Sequence, residues 1–156
     1  MEDLSDILSA DAVLAGLAVP NKKALFVQLG TAGARVAGVD PKLIVDRLSD
    51  REKLGSTGFG GGVAIPHGKI DGLSRVVGLF VHLEEPIDFA AIDDMPVDLA
   101  FVLLSPPDAG AEHLKALARV SRRLRDREFV AKLRGAGSPD AIYALLCPGG
   151  ARDAAA

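Results

Sequence analysis

Three histidines, at positions 67, 82 and 113, are the side chains most able to do group-transfer chemistry, and His67 has the most informative neighbours. It lies near the end of the stretch Gly55-Ser-Thr-Gly-Phe-Gly-Gly-Gly-Val-Ala-Ile-Pro-His-Gly-Lys69. Imidazole is a neutral nucleophile at physiological pH and can carry a phosphoryl group on nitrogen. Glycines at 55, 58, 60, 61 and 62 let the backbone take positive φ and bring N–H groups close to a ligand without Cβ interference. Val63-Ala64-Ile65 predicts a short apolar strand; Pro66, lacking an N–H, suits its end, so the strand delivers His67 at a rigid edge. The competing reading is a structural histidine in a loop. Two nucleotide-binding patterns fit poorly. Gly58-x-Gly60-x-x-Val63 lacks the third glycine of a dinucleotide fingerprint and precedes its strand, and Gly68-Lys69 runs into Ile70 where a Walker loop needs Ser or Thr.

Other polar clusters carry less. His82 sits inside an apolar run and reads as a packed or surface histidine. The three histidines have no His-x-x-x-His spacing and no cysteine cluster, so no metal and no cofactor is expected. Ser121-Arg-Arg-Leu-Arg-Asp-Arg127 reads as a solvated helix face. Glu84-Glu85 and Asp93-Asp94 flank prolines and read as turns, not as a catalytic dyad.

The elements that must position His67 follow from periodicity. A helical turn is expected near Leu4 to Leu8 and a first strand within Ala12 to Val19. Leu25, Leu29, Ala32 and Val36 form the apolar stripe of a helix that Gly38 can close. Asp40-Pro41 supplies an N-cap and a first-turn proline for a second helix, buried through Ile44, Val45 and Leu48 and ending at Gly55, with Arg51 in its last turn. Val76 to Leu83 and Val97 to Leu104 read as strands, the latter so apolar that it should lie centrally with both faces covered. Pro106-Pro107 ends it. A third helix should start near Glu112, with Leu114, Leu117, Ala118, Ser121 and Leu124 as its stripe. A short continuation over Arg127 to Leu133 follows a bend, and Ser138-Pro139 caps a final helix through Ile142, Leu145 and Leu146. This order argues for an α/β (α+β) domain, a mixed sheet with helices on both sides.

A chain of 156 residues suits one domain with a real core, here residues 1–147, followed by a tail over 148–156 expected to be frayed. With 4% aromatic residues and no Trp, that core must be aliphatic. A net charge of −3 points to neither nucleic acid nor an anionic membrane. The apolar runs are too short for a membrane span and the N-terminus lacks the basic region of a signal peptide, which predicts a cytoplasmic protein. The single Cys147 excludes an internal disulfide.

Two blocks, Arg51-Glu-Lys-Leu-Gly-Ser-Thr-Gly and Ala64-Ile-Pro-His-Gly-Lys69, resemble the fructose/mannitol-type enzyme IIA domains of the bacterial phosphoenolpyruvate-dependent phosphotransferase system. Glu112-His-Leu-Lys-Ala-Leu117 adds to the match, which spans roughly residues 4 to 146, and Val77 to Leu104 is most similar to the nitrogen-regulatory branch. The resemblance implies the same fold. It implies that His67 is the phosphorylated residue, that His113 lies beside it, and that Arg51 is an active-site arginine whose planar fork suits phosphate oxygens. The place of His113 in the first turn of a helix agrees, because the positive end of the dipole gathers there. Hydroxyls of Ser56 and Thr57 are candidate phosphate-binding donors from the loop. The implied activity is a phosphotransferase, a phosphoryl carrier charged by an HPr-type phosphohistidine protein. Its acceptor is a set of regulated partner proteins or, alternatively, a sugar-specific IIB domain. No IIB domain or linker follows Leu146, which favours regulation. A non-catalytic anion- or partner-binding module is the remaining reading.

Overall fold

The computed structural model describes residues 3–150. A 3-10 turn, Ala10–Ala12, leads into β1 (Val13–Leu17). Helices α1 (Lys22–Ala37) and α2 (Pro41–Lys53) follow, then the short strands β2 (Gly58–Gly60), β3 (Val63–Ala64) and β4 (His67–Lys69). The long strands β5 (Val77–Ile87) and β6 (Val97–Ser105) precede helices α3 (Gly110–Arg125), α4 (Arg127–Gly135) and α5 (Pro139–Leu146). The expected local signals operate. Asn21 accepts from the Ala24 N–H, Asp40 from Lys42 and Ser138 from Ala141, and Gly38 closes α1 at φ 71°.

The strands form one mixed sheet in the order β1-β5-β6-β3-β2, with β4 also paired to β6. β6 is central and nearly all buried, antiparallel to β5 and parallel to β3 and β4. Helices cover both faces. Gly33 of α1 packs over Leu79 and Leu104 on one side, while α3 reaches Ser105 on the other. The core is mostly aliphatic, with Phe80 and Phe101 edge to face at its middle.

Four expectations need correction. The strand before the histidine stops at Ala64, and His67 opens a separate strand; Pro66 breaks the ladder because it has no N–H, although its carbonyl still accepts from Leu103. The glycine run, expected as a loop, closes as a β-hairpin between Gly58 and Ala64. Gly61 and Gly62 take φ 68° and 81° at its tip, the mirror-image turn that suits two-residue hairpins. The Gly61 N–H is taken by the Asp93 carboxylate, and a Cβ on Gly58 would lie 2.7 Å from that of Ala91. Glu84-Glu85 is not a turn: β5 runs through it and through Pro86 to Ile87, with these three side chains exposed. The buried stripe of α3 is His113, Ala116, Val120 and Leu124, whereas Leu114 is exposed.

Residues 148–150 are described and half-buried, the Gly149 N–H donating to Asp3; the rest of the expected frayed tail lies outside the described residues. Among the described residues, no helix is long and apolar enough to cross a membrane.

Candidate functional site

β4 begins at His67 because it is held parallel to the buried strand β6, His67 opposite Leu103 and Lys69 opposite Ser105. The ring is half-buried and has a hydrogen bond on each nitrogen. Nδ1 lies 2.9 Å from the carbonyl oxygen of Ile65. A carbonyl can only accept, so the ring proton is on Nδ1 and the Nε2 lone pair is left for chemistry. Arg51, in the last turn of α2, donates from Nε to that Nε2 at 3.2 Å and from Nη1 to the Gly55 carbonyl at 2.8 Å. The second contact fixes the guanidinium against the loop, so the fork is held beside Nε2 of His67.

His113, in the first turn of α3, brings its ring centroid to 5.4 Å from that of His67, the planes tilted by 51°. It is 8% exposed, and its Nδ1 is 2.6 Å from Ser105 Oγ at the end of β6. Burial lowers the pKa of both imidazoles. For His67 the Ile65 hydrogen bond and the Glu52 charge partly oppose this and the Arg51 charge adds to it. For His113 burial, then the charge of Lys69 and the nearness of His67, bring it down to about 4. Both shifts favour the neutral rings, and the lone pair of His67 Nε2 accepts from Arg51.

The structure thus brings His67, His113 and Arg51 together, as expected, and leaves His82 apart, 3.8 Å from the Asp98 carboxylate. The two loop hydroxyls do other work. Ser56 Oγ accepts from the Gly58 N–H, and Thr57 Oγ1 donates to Glu52 at 2.6 Å. Neither is a donor to the histidine pair here. Their direction is set by the loop closing on itself, which sequence does not show.

Sequence reasoning missed three groups. The Glu52 carboxylate, only 7% exposed, accepts from the Thr57 N–H and hydroxyl and from Lys22, tying α1, α2 and the loop behind Arg51. These bonds outweigh burial and hold it below the usual carboxylate range. Ser105 and Lys69 border His113. Ser105 had a signal, being the one hydroxyl of β6, placed at the end of the apolar run Leu99 to Leu104; Glu52 had only its place beside Arg51.

A half-buried histidine with one nitrogen tied to the backbone, a second imidazole and an arginine, on a mixed sheet covered on both faces, define a phosphohistidine-type transfer protein. The chain belongs to the family described as phosphoenolpyruvate-dependent sugar phosphotransferase system, EIIA 2, whose model matches residues 6–147. It is accordingly a phosphotransfer component of that system. A nitrogen regulatory protein of Bradyrhizobium diazoefficiens is 46% identical over 143 residues, covering 92% of this chain and 94% of that protein. The crystal structure of nitrogen regulatory protein IIA-Ntr from Neisseria meningitidis superposes with a TM-score of 0.87 at 35% identity, over 92% of this chain and 98% of that one. IIA mannitol from Escherichia coli shares the fold at 23% identity, with a TM-score of 0.74 over 89% of this chain and 98% of its own.

Proposed function

We propose that this protein is a cytoplasmic phosphoryl carrier that accepts phosphate on Nε2 of His67 from an HPr-type phosphohistidine protein, and that its phosphorylation state regulates partner proteins. The observation that carries the assignment is the pair of hydrogen bonds on His67: Nδ1 to the Ile65 carbonyl, and Nε2 facing Arg51.

In this reading the Nε2 lone pair attacks phosphorus in line while the P–N bond to the donor imidazole breaks, its electron pair returning to the donor nitrogen. The donor ring, protonated on its other nitrogen, leaves as neutral imidazole. The His67 ring takes over the positive charge and keeps its Nδ1 proton, which the Ile65 carbonyl stabilises. Arg51 shifts its fork from Nε2 to the incoming phosphoryl oxygens, and such preorganised donors act where charge collects. No proton has to move, so the exchange is reversible and suits a carrier.

The phosphoryl group brings about −1.5 to −2 charges, partly offset by the positive charge on the ring, a local change that a docked partner senses as repulsion or as a new contact. The similarity to nitrogen regulatory proteins supports a regulatory use. The test is incubation with phosphoenolpyruvate, enzyme I and HPr. Wild type should take up one acid-labile, alkali-stable phosphoryl and His67→Ala none, while Arg51→Ala should label the same residue roughly a hundredfold to a thousandfold more slowly. Proteins captured from extract should differ between the phosphorylated and unphosphorylated forms. Equal capture by both forms and by His67→Ala, with rapid transfer to a sugar-specific IIB, would replace regulation by sugar transport. Complete inertness toward HPr would leave a binding module.

A further inference from the structure

Ser105 is the last residue of β6 and has no exposed surface. Its backbone is committed to the sheet edge, the carbonyl accepting from the Ile70 N–H at 2.7 Å. Among the described residues, the hydroxyl has one hydrogen-bond partner, Nδ1 of His113 at 2.6 Å. Two proton arrangements satisfy that distance. If His113 carried its proton on Nδ1, the ring would donate to Oγ and the buried hydroxyl proton would be left desolvated without an acceptor. If the hydroxyl donates to Nδ1, every polar atom of the contact is satisfied, and the proton of the neutral ring must sit on Nε2.

We infer that Ser105 is a positioning residue for phosphoryl transfer: its hydroxyl holds His113 as the Nε2–H tautomer, so that the imidazole beside His67 is a hydrogen-bond donor to the phosphoryl oxygens. The two rings then hold opposite tautomers, each fixed by one contact. Ile65 puts the proton of His67 on Nδ1 and frees Nε2 as nucleophile; Ser105 takes up Nδ1 of His113 and leaves Nε2–H as donor. With both rings in the same tautomer the site would hold two lone pairs against an anionic group, or no nucleophile. Burial and the Lys69 charge keep His113 neutral, so the tautomer and not the protonation state decides its role at pH 7. The turn that starts at Pro106 leads from the end of β6 into the first turn of α3, where the Ala109 carbonyl accepts from the His113 N–H at 2.8 Å.

The donor role rests on His67 being the phosphorylated residue, whereas the tautomer can be measured without phosphate. The experiment is nitrogen-15 NMR of the imidazole rings in the unphosphorylated protein at pH 7, followed by the rate of phosphoryl transfer from HPr. Wild type should show Nε2–H on His113 and Nδ1–H on His67. Ser105→Ala should give a mixed tautomer at His113 and transfer about tenfold to a hundredfold slower, still at His67; Ser105→Thr, which keeps the hydroxyl, should recover both. A proton on Nδ1 of wild-type His113 overturns the inference, and that spectrum decides the matter even if the variants fail to fold. So does Ser105→Ala with an unchanged tautomer and rate. Wild type with the stated tautomers but no phosphate on His67 would support the Ser105 contact and overturn the carrier reading and the donor role together.

Discussion

A neutral imidazole in a buried site is a liability in acid, and His113 shows it most directly. Its folded pKa is lowered from 6.5 to about 4 by burial, then by the charge of Lys69 and the nearness of His67. Between those values the unfolded chain binds the proton and the folded chain does not, so stability is whole above about pH 6.5 and is lost as pH falls toward 4. At about 1.4 kcal/mol per pH unit, the loss reaches about 3 kcal/mol. His67 is shifted in the same direction and adds to it. The check is the urea midpoint of wild type and His113→Asn between pH 7 and pH 4.5. The wild-type midpoint should fall more steeply, because carboxylates shared by both proteins cancel in the comparison; parallel curves would contradict the buried neutral ring.

At the scale of elements, the site depends on how closely α1 and α2 cross, since α2 carries Arg51 and Glu52. A Cβ on Gly30 would lie 2.7 Å from the Pro41 carbonyl oxygen and 2.8 Å from Val45. Replacing a helical glycine by alanine ordinarily stabilises by up to about 1 kcal/mol. Here the nearest atom belongs to the backbone and cannot step aside, and overpacking of that kind costs about 1–3 kcal/mol, so the clash wins. Gly30→Ala should lower the denaturation midpoint, whereas Gly110→Ala, with nothing within 4 Å, should not. A stabilised Gly30→Ala would mean the helices are less tightly crossed than described. Much of this frame was legible in advance. Leu25, Leu29 and Ala32 mark the inner face of α1, Asp40-Pro41 starts α2, and the apolar run of β6 is the buried central strand. What was hidden needed long-range pairing. β4 exists only because β6 offers it a ladder, and the inner face of α3 is led by a histidine that a search for apolar residues passes over in favour of Leu114. The hydroxyl of Thr57 is visible in sequence, but its partner Glu52 belongs to the end of α2 and shows only in three dimensions.

Over the whole molecule, one continuous core lies under both faces of the sheet, and under the proposed reading the mark that a partner senses is a change of charge at His67. The protein has a net charge of −3, and phosphate makes it more negative at a single point. Under the proposed function, a partner that reads this point contacts the surface around His67, and His113→Ala or Arg51→Ala should slow the writing of the mark without moving it. All of this hangs on one atom. The most direct measurement is phosphorus–nitrogen correlation NMR on protein phosphorylated by HPr, with nitrogen-15 in the histidine rings. The account predicts one phosphorus signal coupled to Nε2 of His67, with the His67 Nδ1 proton still present. Coupling to Nδ1, to a nitrogen of His113, or to no nitrogen at all would contradict it.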